Sequence, residues 1–260
     1  MEYSEILYTV KDNVAKITLN QPEKMNRLST EMTREIVHAL EASEADDEVR
    51  VIIITGAGDK AFCAGAALDE FASRSVSDSR QSTEGYLGIA RAFSRLGKVS
   101  IAMVNGYALA GGCGLVMYPT FAIASETAKL GLPEINVGVW SAIVSAILIR
   151  TVNRRKALEL LCTGELFDAR EAEEIGMINK AVPPGDLEKE VTNLAEKIKS
   201  KSAATLSMGL DSYYTIMDME YQKALSYLTS RSAFITMTED ASEGAKSFLE
   251  KRKPQWSHRL

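Results

Sequence analysis

The sequence predicts an α/β core followed by an α-helical C-terminal subdomain. Two observations carry this. Strand-like and helix-like stretches alternate through the first two-thirds of the chain, and from Asp186 to Lys251 the pattern is helical almost throughout. A chain of 260 residues suits one large domain, or one domain with a small appendage. The expected division is a core over residues 1–190, carrying the active site, and a helical subdomain over 191–260.

The elements follow from hydrophobic period and punctuation. Ile6–Val10 and Val14–Leu19 read as strands around a Lys11-Asp12-Asn13 turn. Gln21–Lys24 is a loop. Ser29 is placed to cap a helix to about Ala45, with Met32, Ile36 and Leu40 on one face. Val49–Thr55 is an apolar run, read as a buried strand ending at Gly56-Ala57-Gly58. Ser79–Leu96 reads as a helix, Val99–Val104 as a second buried strand, and Ala108–Met117 as a helix opening on Gly111-Gly112. Phe121–Ala124 is a short strand. Helices follow at Ser141–Val152, Arg154–Thr163 and Ala169–Gly176. Ile178–Val182 is a last strand before Pro183-Pro184-Gly185.

Composition narrows the function. The net charge of −5 leaves no basic excess to neutralise nucleic-acid phosphates or an anionic membrane. Met1–Asn20 alternates polar and apolar residues, so no secretory signal is expected. No apolar run reaches bilayer length. Cys63, Cys113 and Cys162 fit neither a disulfide framework nor a CxxC pattern, and His38 and His258 are too few for a histidine metal site. A reduced, cytoplasmic, metal-free protein is expected.

Two stretches of small residues stand out. One is Phe62-Cys63-Ala64-Gly65-Ala66-Ala67-Leu68, the other Val104-Asn105-Gly106-Tyr107-Ala108-Leu109-Ala110-Gly111-Gly112-Cys113-Gly114. Small residues allow a ligand close to the backbone, and a helix start offers unpaired N–H groups. Either stretch alone reads equally well as a tight turn. A third segment, Leu130-Gly131-Leu132-Pro133-Glu134-Ile135-Asn136-Val137-Gly138, places a glutamate after a proline.

The three segments in this order resemble the signature of the enoyl-CoA hydratase/isomerase (crotonase) superfamily. Thr163-Gly164-Glu165 and the segment Gly176-Met177-Ile178-Asn179-Lys180-Ala181-Val182 are similar to it too, and the likeness runs from Asn20 to Pro254. The resemblance implies a spiral of ββα units, a helical trimerisation region and an acyl-CoA substrate. It implies a homotrimer or a dimer of trimers, with no cofactor beyond the coenzyme A of the substrate. By motif position, the N–H groups of Ala66 and Gly111 would hold the thioester oxygen, and Glu134 would be the acid–base group. Such donors, aimed at charge that develops in the transition state, are each worth about 10²–10³ in rate. Leu132, Ile135 and Val137 are expected to raise the Glu134 pKa by desolvation. For coenzyme A the resemblance points to Lys24, Asn26, Ala64 and Leu68, and to Lys251 for a phosphate. An ordinary solvated lysine is an equal reading of Lys251.

The sequence also departs from the family pattern. Hydratase members carry a second glutamate three residues after the oxyanion glycine, where this chain has Gly114, which the resemblance places against the acyl group of the substrate. A single glutamate is similar to the branch that shifts a double bond, although some single-glutamate relatives hydrate aryl-CoA substrates. Ala142 stands where dienoyl-CoA isomerases and aryl-CoA dehalogenases carry an aspartate, which argues against both. Ala67 replaces the usual aspartate of the first loop. Trp140 reads equally as a pocket wall or a core anchor. The expected activity is double-bond isomerisation ahead of hydration. A decarboxylase or lyase on the same enolate platform and a non-catalytic acyl-CoA-binding relative are the alternatives.

Overall fold

The computed structural model describes the backbone of residues 2–66 and 76–258, and the side chains of all of these but 76–82. The chain opens with a hairpin of β1 (Ile6–Lys11) and β2 (Val14–Leu19). Its turn places Asp12 and Asn13 at φ 50° and 63°, left-handed values that these two residue types tolerate. Strand β2 then pairs in parallel with β3 (Val51–Gly56), and β5 (Val99–Val104), β7 (Phe121–Ser125) and β10 (Lys180–Val182) continue the large sheet. A second sheet joins four three-residue strands, β4 (Ala61–Cys63), β6 (Tyr107–Leu109), β8 (Lys129–Gly131) and β9 (Leu166–Asp168).

Successive turns of the chain repeat one order: a strand for the large sheet, a strand for the small one, then a helix. β3 and β4 lead to α2 (Val76–Ser94), β5 and β6 to α3 (Gly111–Met117), and β7 and β8 to α4 (Ala142–Thr151). This is the expected spiral of ββα units. Strands β3 and β5 are buried at every residue, which explains their continuous apolar runs. Ile52 and Ile54 face a core shared with Ile36 and Leu40 of α1 (Thr30–Ala45). Val51 and Ile53 face the other side, against α7 (Leu187–Lys199), which buries Leu187, Val191, Ala195 and Ile198 there. The expected division at residues 190/191 falls inside this helix. Helices α5 (Arg154–Thr163) and α6 (Ala169–Glu174) precede it. After it come α8 (Ala203–Ile216), α9 (Tyr221–Thr236) and α10 (Glu239–Leu249). Among the described residues, no helix is long and apolar enough to cross a membrane.

Several expectations need correction. The small sheet is absent from the sequence reading, because a three-residue strand is too short to show a period. Tyr107–Leu109 is a strand, so the helix read from Ala108 begins instead at Gly111. The last strand starts at Lys180 rather than Ile178. Helix α2 starts at Val76 rather than Ser79.

Helix α1 also anchors the start of the chain. Glu35 is fully buried, and its carboxylate accepts the N–H groups of Ser4, Glu5 and Ile6 and the Ser4 hydroxyl. Burial alone would raise its pKa, but these bonds outweigh it and hold the carboxyl below its ordinary value. Glu35→Ala leaves the donors unpaired and is expected to destabilise the fold by about 1–3 kcal/mol. Because the folded pKa is depressed, this contribution is present above the unfolded pKa and is lost as pH falls through the folded value. Urea melts of both proteins at neutral pH and in acid check this: the gap between them should narrow in acid.

Candidate active site

The small sheet brings three loop ends together. β4, β6 and β8 pair in parallel, with Cys63 opposite Ala108 and Leu109 opposite Gly131. The segments that follow them, starting at Ala64, Ala110 and Leu132, therefore leave from one edge. Ligand sites in α/β folds commonly form at such carboxyl ends.

The first segment is tied down by Leu28, whose N–H donates to the Gly65 carbonyl at 2.7 Å, and a parallel bridge joins Leu28 to Ala66. That register turns the Ala66 N–H to the opposite side. In the second segment Ala110 has φ 53° and ψ −123°, a conformation an L-residue rarely adopts. It turns the chain sharply into helix α3, where Gly111 is the first residue. Gly65 is the contact between the two segments. A Cβ there would lie 2.6 Å from the Leu109 carbonyl oxygen and 3.2 Å from the Gly111 nitrogen, and its φ of +85° itself favours glycine. Among the described residues, neither the Ala66 nor the Gly111 N–H donates to a turn, loop or cap carbonyl.

Glu134 sits in the 3₁₀ turn Pro133–Val137 after β8. It lines one pocket of about 240 Å³ together with Ala66, Gly111 and Trp140. The rest of the wall is mostly apolar, with Leu28, Ile89, Leu115, Ile143 and Val144. The Ser141 hydroxyl donates to Glu134 Oε1, while Oε2 is buried with no hydrogen-bond partner among the described residues. Burial raises the Glu134 pKa, and the Ser141 bond pulls it the other way without cancelling the rise. Leu132 is buried as expected, but Val137 is 58% exposed and contributes no dry wall. Trp140 is 47% exposed at the pocket edge, so it is a wall and not a core anchor.

The remaining expected residues separate. Gly114 is buried inside α3 and does not line this pocket: a Cβ there would meet the Tyr118 ring at 3.1 Å and Val144 at 3.2 Å. Asn26 is fully buried and fully employed. Its Oδ1 accepts the Gln21 N–H, and its Nδ2 donates to the carbonyls of Ala57 and Ala61. It is a brace for the loops, not a ligand contact. The Ala64 N–H is spent on the Met25 carbonyl. Lys24 is exposed one residue before that carbonyl. Lys251 is exposed in the turn after α10, outside the pocket lining. Leu68 lies outside the described residues. Most of the pocket lining escaped the sequence reading, including Ser141, Tyr118 and Tyr86, whose ring would meet a Cβ on Gly111 at 3.0 Å. Among the described residues, no group of three or more His, Cys, Asp and Glu side chains converges on a common point.

The sequence matches the model of the family described as enoyl-CoA hydratase/isomerase over residues 9–259. A Rhizobium meliloti protein named probable enoyl-CoA hydratase is 36% identical over 260 residues, spanning the whole of both chains. A Syntrophomonas wolfei crotonyl-CoA hydratase is 35% identical over 256 residues, 97% of this chain and 98% of that one. The crystal structure of a Mycobacterium smegmatis enoyl-CoA hydratase superposes with a TM-score of 0.94 at 32% identity, covering 97% of this chain and 99% of that one.

The contact at Gly65 generates a direct test. Gly65→Ala forces a Cβ against backbone at a left-handed φ, so the two loops must part. The melting temperature is expected to fall by several degrees, at about 2–4 °C per kcal/mol for a chain near this size. Gly138→Ala is the control. It also has a left-handed φ, +75°, but meets nothing within 4 Å, so it should lose less.

Proposed function

Because the chain belongs to the enoyl-CoA hydratase/isomerase family, we propose that its pocket binds the enoyl thioester of coenzyme A and moves a proton by way of Glu134. One observation carries this reading: an ionisable carboxyl with an unpartnered oxygen shares an apolar pocket with two backbone segments whose N–H groups are available. Removing a proton beside a thioester carbonyl puts negative charge on its oxygen. The N–H groups of Ala66 and Gly111 are the proposed acceptor site for that charge, in a setting dry enough for such dipoles to count. A carboxyl whose pKa is raised by burial is a stronger base once ionised.

The finer choice is between shifting a double bond and adding water. In the double-bond shift, Glu134 takes a proton from C2 of a 3-enoyl thioester. The electron pair spreads to the carbonyl oxygen as a dienolate, and the same proton returns at C4 to give the 2-enoyl thioester. One carboxyl suffices. Among the described residues lining the pocket, Glu134 is the only carboxylate, and the space beside Gly114 is filled by Tyr118 and Val144. This favours the double-bond shift. The names of the relatives favour hydration, which needs a positioned water as well. Neither chemistry calls for a further cofactor. The exposure of Lys24 beside the Ala64 loop supports a point-charge contact with a phosphate of coenzyme A.

Assay on crotonyl-CoA and on a 3-enoyl-CoA, followed by the absorbance of the conjugated thioester, separates the two. The expected result is faster conversion of the 3-enoyl substrate; efficient hydration of crotonyl-CoA would reject that preference. Glu134→Gln keeps shape and should lower turnover on the true substrate about 10²–10⁴-fold, with no loss of melting temperature. Helices α8–α10 expose Tyr213, Tyr221, Leu225, Phe234 and Phe248, more apolar surface than a solvated subdomain needs. A trimer or dimer of trimers is the proposed cover, and light scattering that finds a monomer at micromolar concentration would exclude it.

A further inference from the structure

Ser141 occupies the N-cap position of α4, where a serine hydroxyl ordinarily accepts an N–H from the first helical turn. Elsewhere in this chain that rule holds. Ser29, Ser202 and Thr238 each accept such a bond, from Met32, Thr205 and Ala241. Ser141 makes no capping bond. Its hydroxyl turns away from its own helix and donates to Oε1 of Glu134, seven residues earlier. The serine is itself buried, 6% exposed, and its backbone is fixed on both sides. The Ala142 N–H donates to Trp140, and the Ser145 N–H donates to the Ser141 carbonyl.

We infer that Ser141 is the positioning residue for Glu134: its hydroxyl occupies Oε1 and fixes the carboxyl plane so that Oε2 is the oxygen that handles the substrate proton. The inference rests on the proposed role of Glu134. The terminal torsion of a glutamate is broad and two-fold, so in an apolar pocket the group needs an outside contact to choose one plane. Among the described residues, no other side chain bonds to it. The two oxygens are thereby made unequal, one spent and one bare. Proton transfer between two carbons of one substrate requires that the bare oxygen reach both, and a misplacement of that oxygen is felt mainly in the turnover step. The same bond lowers a pKa that burial raises, so its loss moves the pKa further up.

The test compares the full-length wild type with Ser141→Ala, Ser141→Thr and Glu134→Gln on crotonyl-CoA and a 3-enoyl-CoA. Ser141→Ala is expected to lower kcat roughly 10-fold while KM changes less than about 3-fold. The acid limb of kcat/KM, where Glu134 must be ionised, should move to higher pH. Ser141→Thr keeps the hydroxyl and should recover most of the rate. The melting temperature of Ser141→Ala should fall by only a few degrees, because one buried hydrogen bond is removed and no capping bond. A Ser141→Ala enzyme with wild-type kcat and an unmoved acid limb overturns the inference. So does a threonine variant no better than alanine. Glu134→Gln keeps the two failures apart. If it is inactive while Ser141→Ala is normal, only the positioning role is lost. If it turns over like wild type, the reading of Glu134 itself is lost.

Discussion

The site depends on the close approach of two backbones. Strands β4 and β6 lie side by side, and the segments that leave them touch where Gly65 faces Leu109 and Gly111, with no room for a single carbon between. Side chains cannot mediate at that distance, so the contact is made by residues that have almost none. Helix α3 is pressed in by the same constraint, since a Cβ on Gly112 would lie 2.1 Å from the Cys63 carbonyl oxygen. The run of glycine and alanine in both segments is therefore a packing requirement first. Among the described residues, that packing leaves the N–H groups of Ala66 and Gly111 without a turn, loop or cap bond.

Holding the second segment in place has an energetic side. Ala110 sits at a backbone conformation that costs of order 1–3 kcal/mol for a residue with a side chain. It persists because hydrogen bonds hold it from both directions. Its own N–H donates to Gly131 in β8 at 2.9 Å, and its carbonyl accepts from Cys113 and Gly114 in α3. β8 is the strand that leads on to Glu134, so one short sheet fixes the Ala66 and Gly111 segments and Glu134 relative to one another. Asn26 and Asn105 complete the support from outside. The first bonds Gln21, Ala57 and Ala61; the second bonds Gly56 and Gly58.

What the sequence made legible follows from the length scale of each signal. The buried strands Val51–Gly56 and Val99–Val104 are six apolar-rich residues buried on both faces, and such runs stand out. Helix α1 declares itself by Ser29 and by Met32, Ile36 and Leu40. The small sheet has three residues per strand and left no trace, although it is what gathers the site. Ala66, Gly111 and Glu134 were legible only through an ordered set of motifs, since each alone has a bland reading. Asn26 was misplaced because motif position carries no information on which way a side chain turns; here it turns inward. Ser141 was invisible for the converse reason. A serine before a helix reads as a cap, and only the fold shows the hydroxyl aimed at a carboxylate.

The arrangement around Glu134 works against the stability of the fold. A carboxyl whose pKa is raised in the native state binds its proton more tightly there than in the unfolded chain. Its contribution to stability is therefore present at low pH and declines as pH rises through the folded value, the opposite of Glu35. Both glutamates are withdrawn from water, yet one is given four donors and the other only one hydroxyl and its own turn. Glu35 is compensated and serves the structure; Glu134 is left under-compensated and keeps a bare oxygen. If stability alone shaped the pocket, a second donor to Oε2 or an apolar side chain at residue 134 would relieve the deficit. Either change would also remove the bare oxygen. The cost of one uncompensated carboxylate can stand because it is small beside the apolar burial in the two cores on either face of the large sheet.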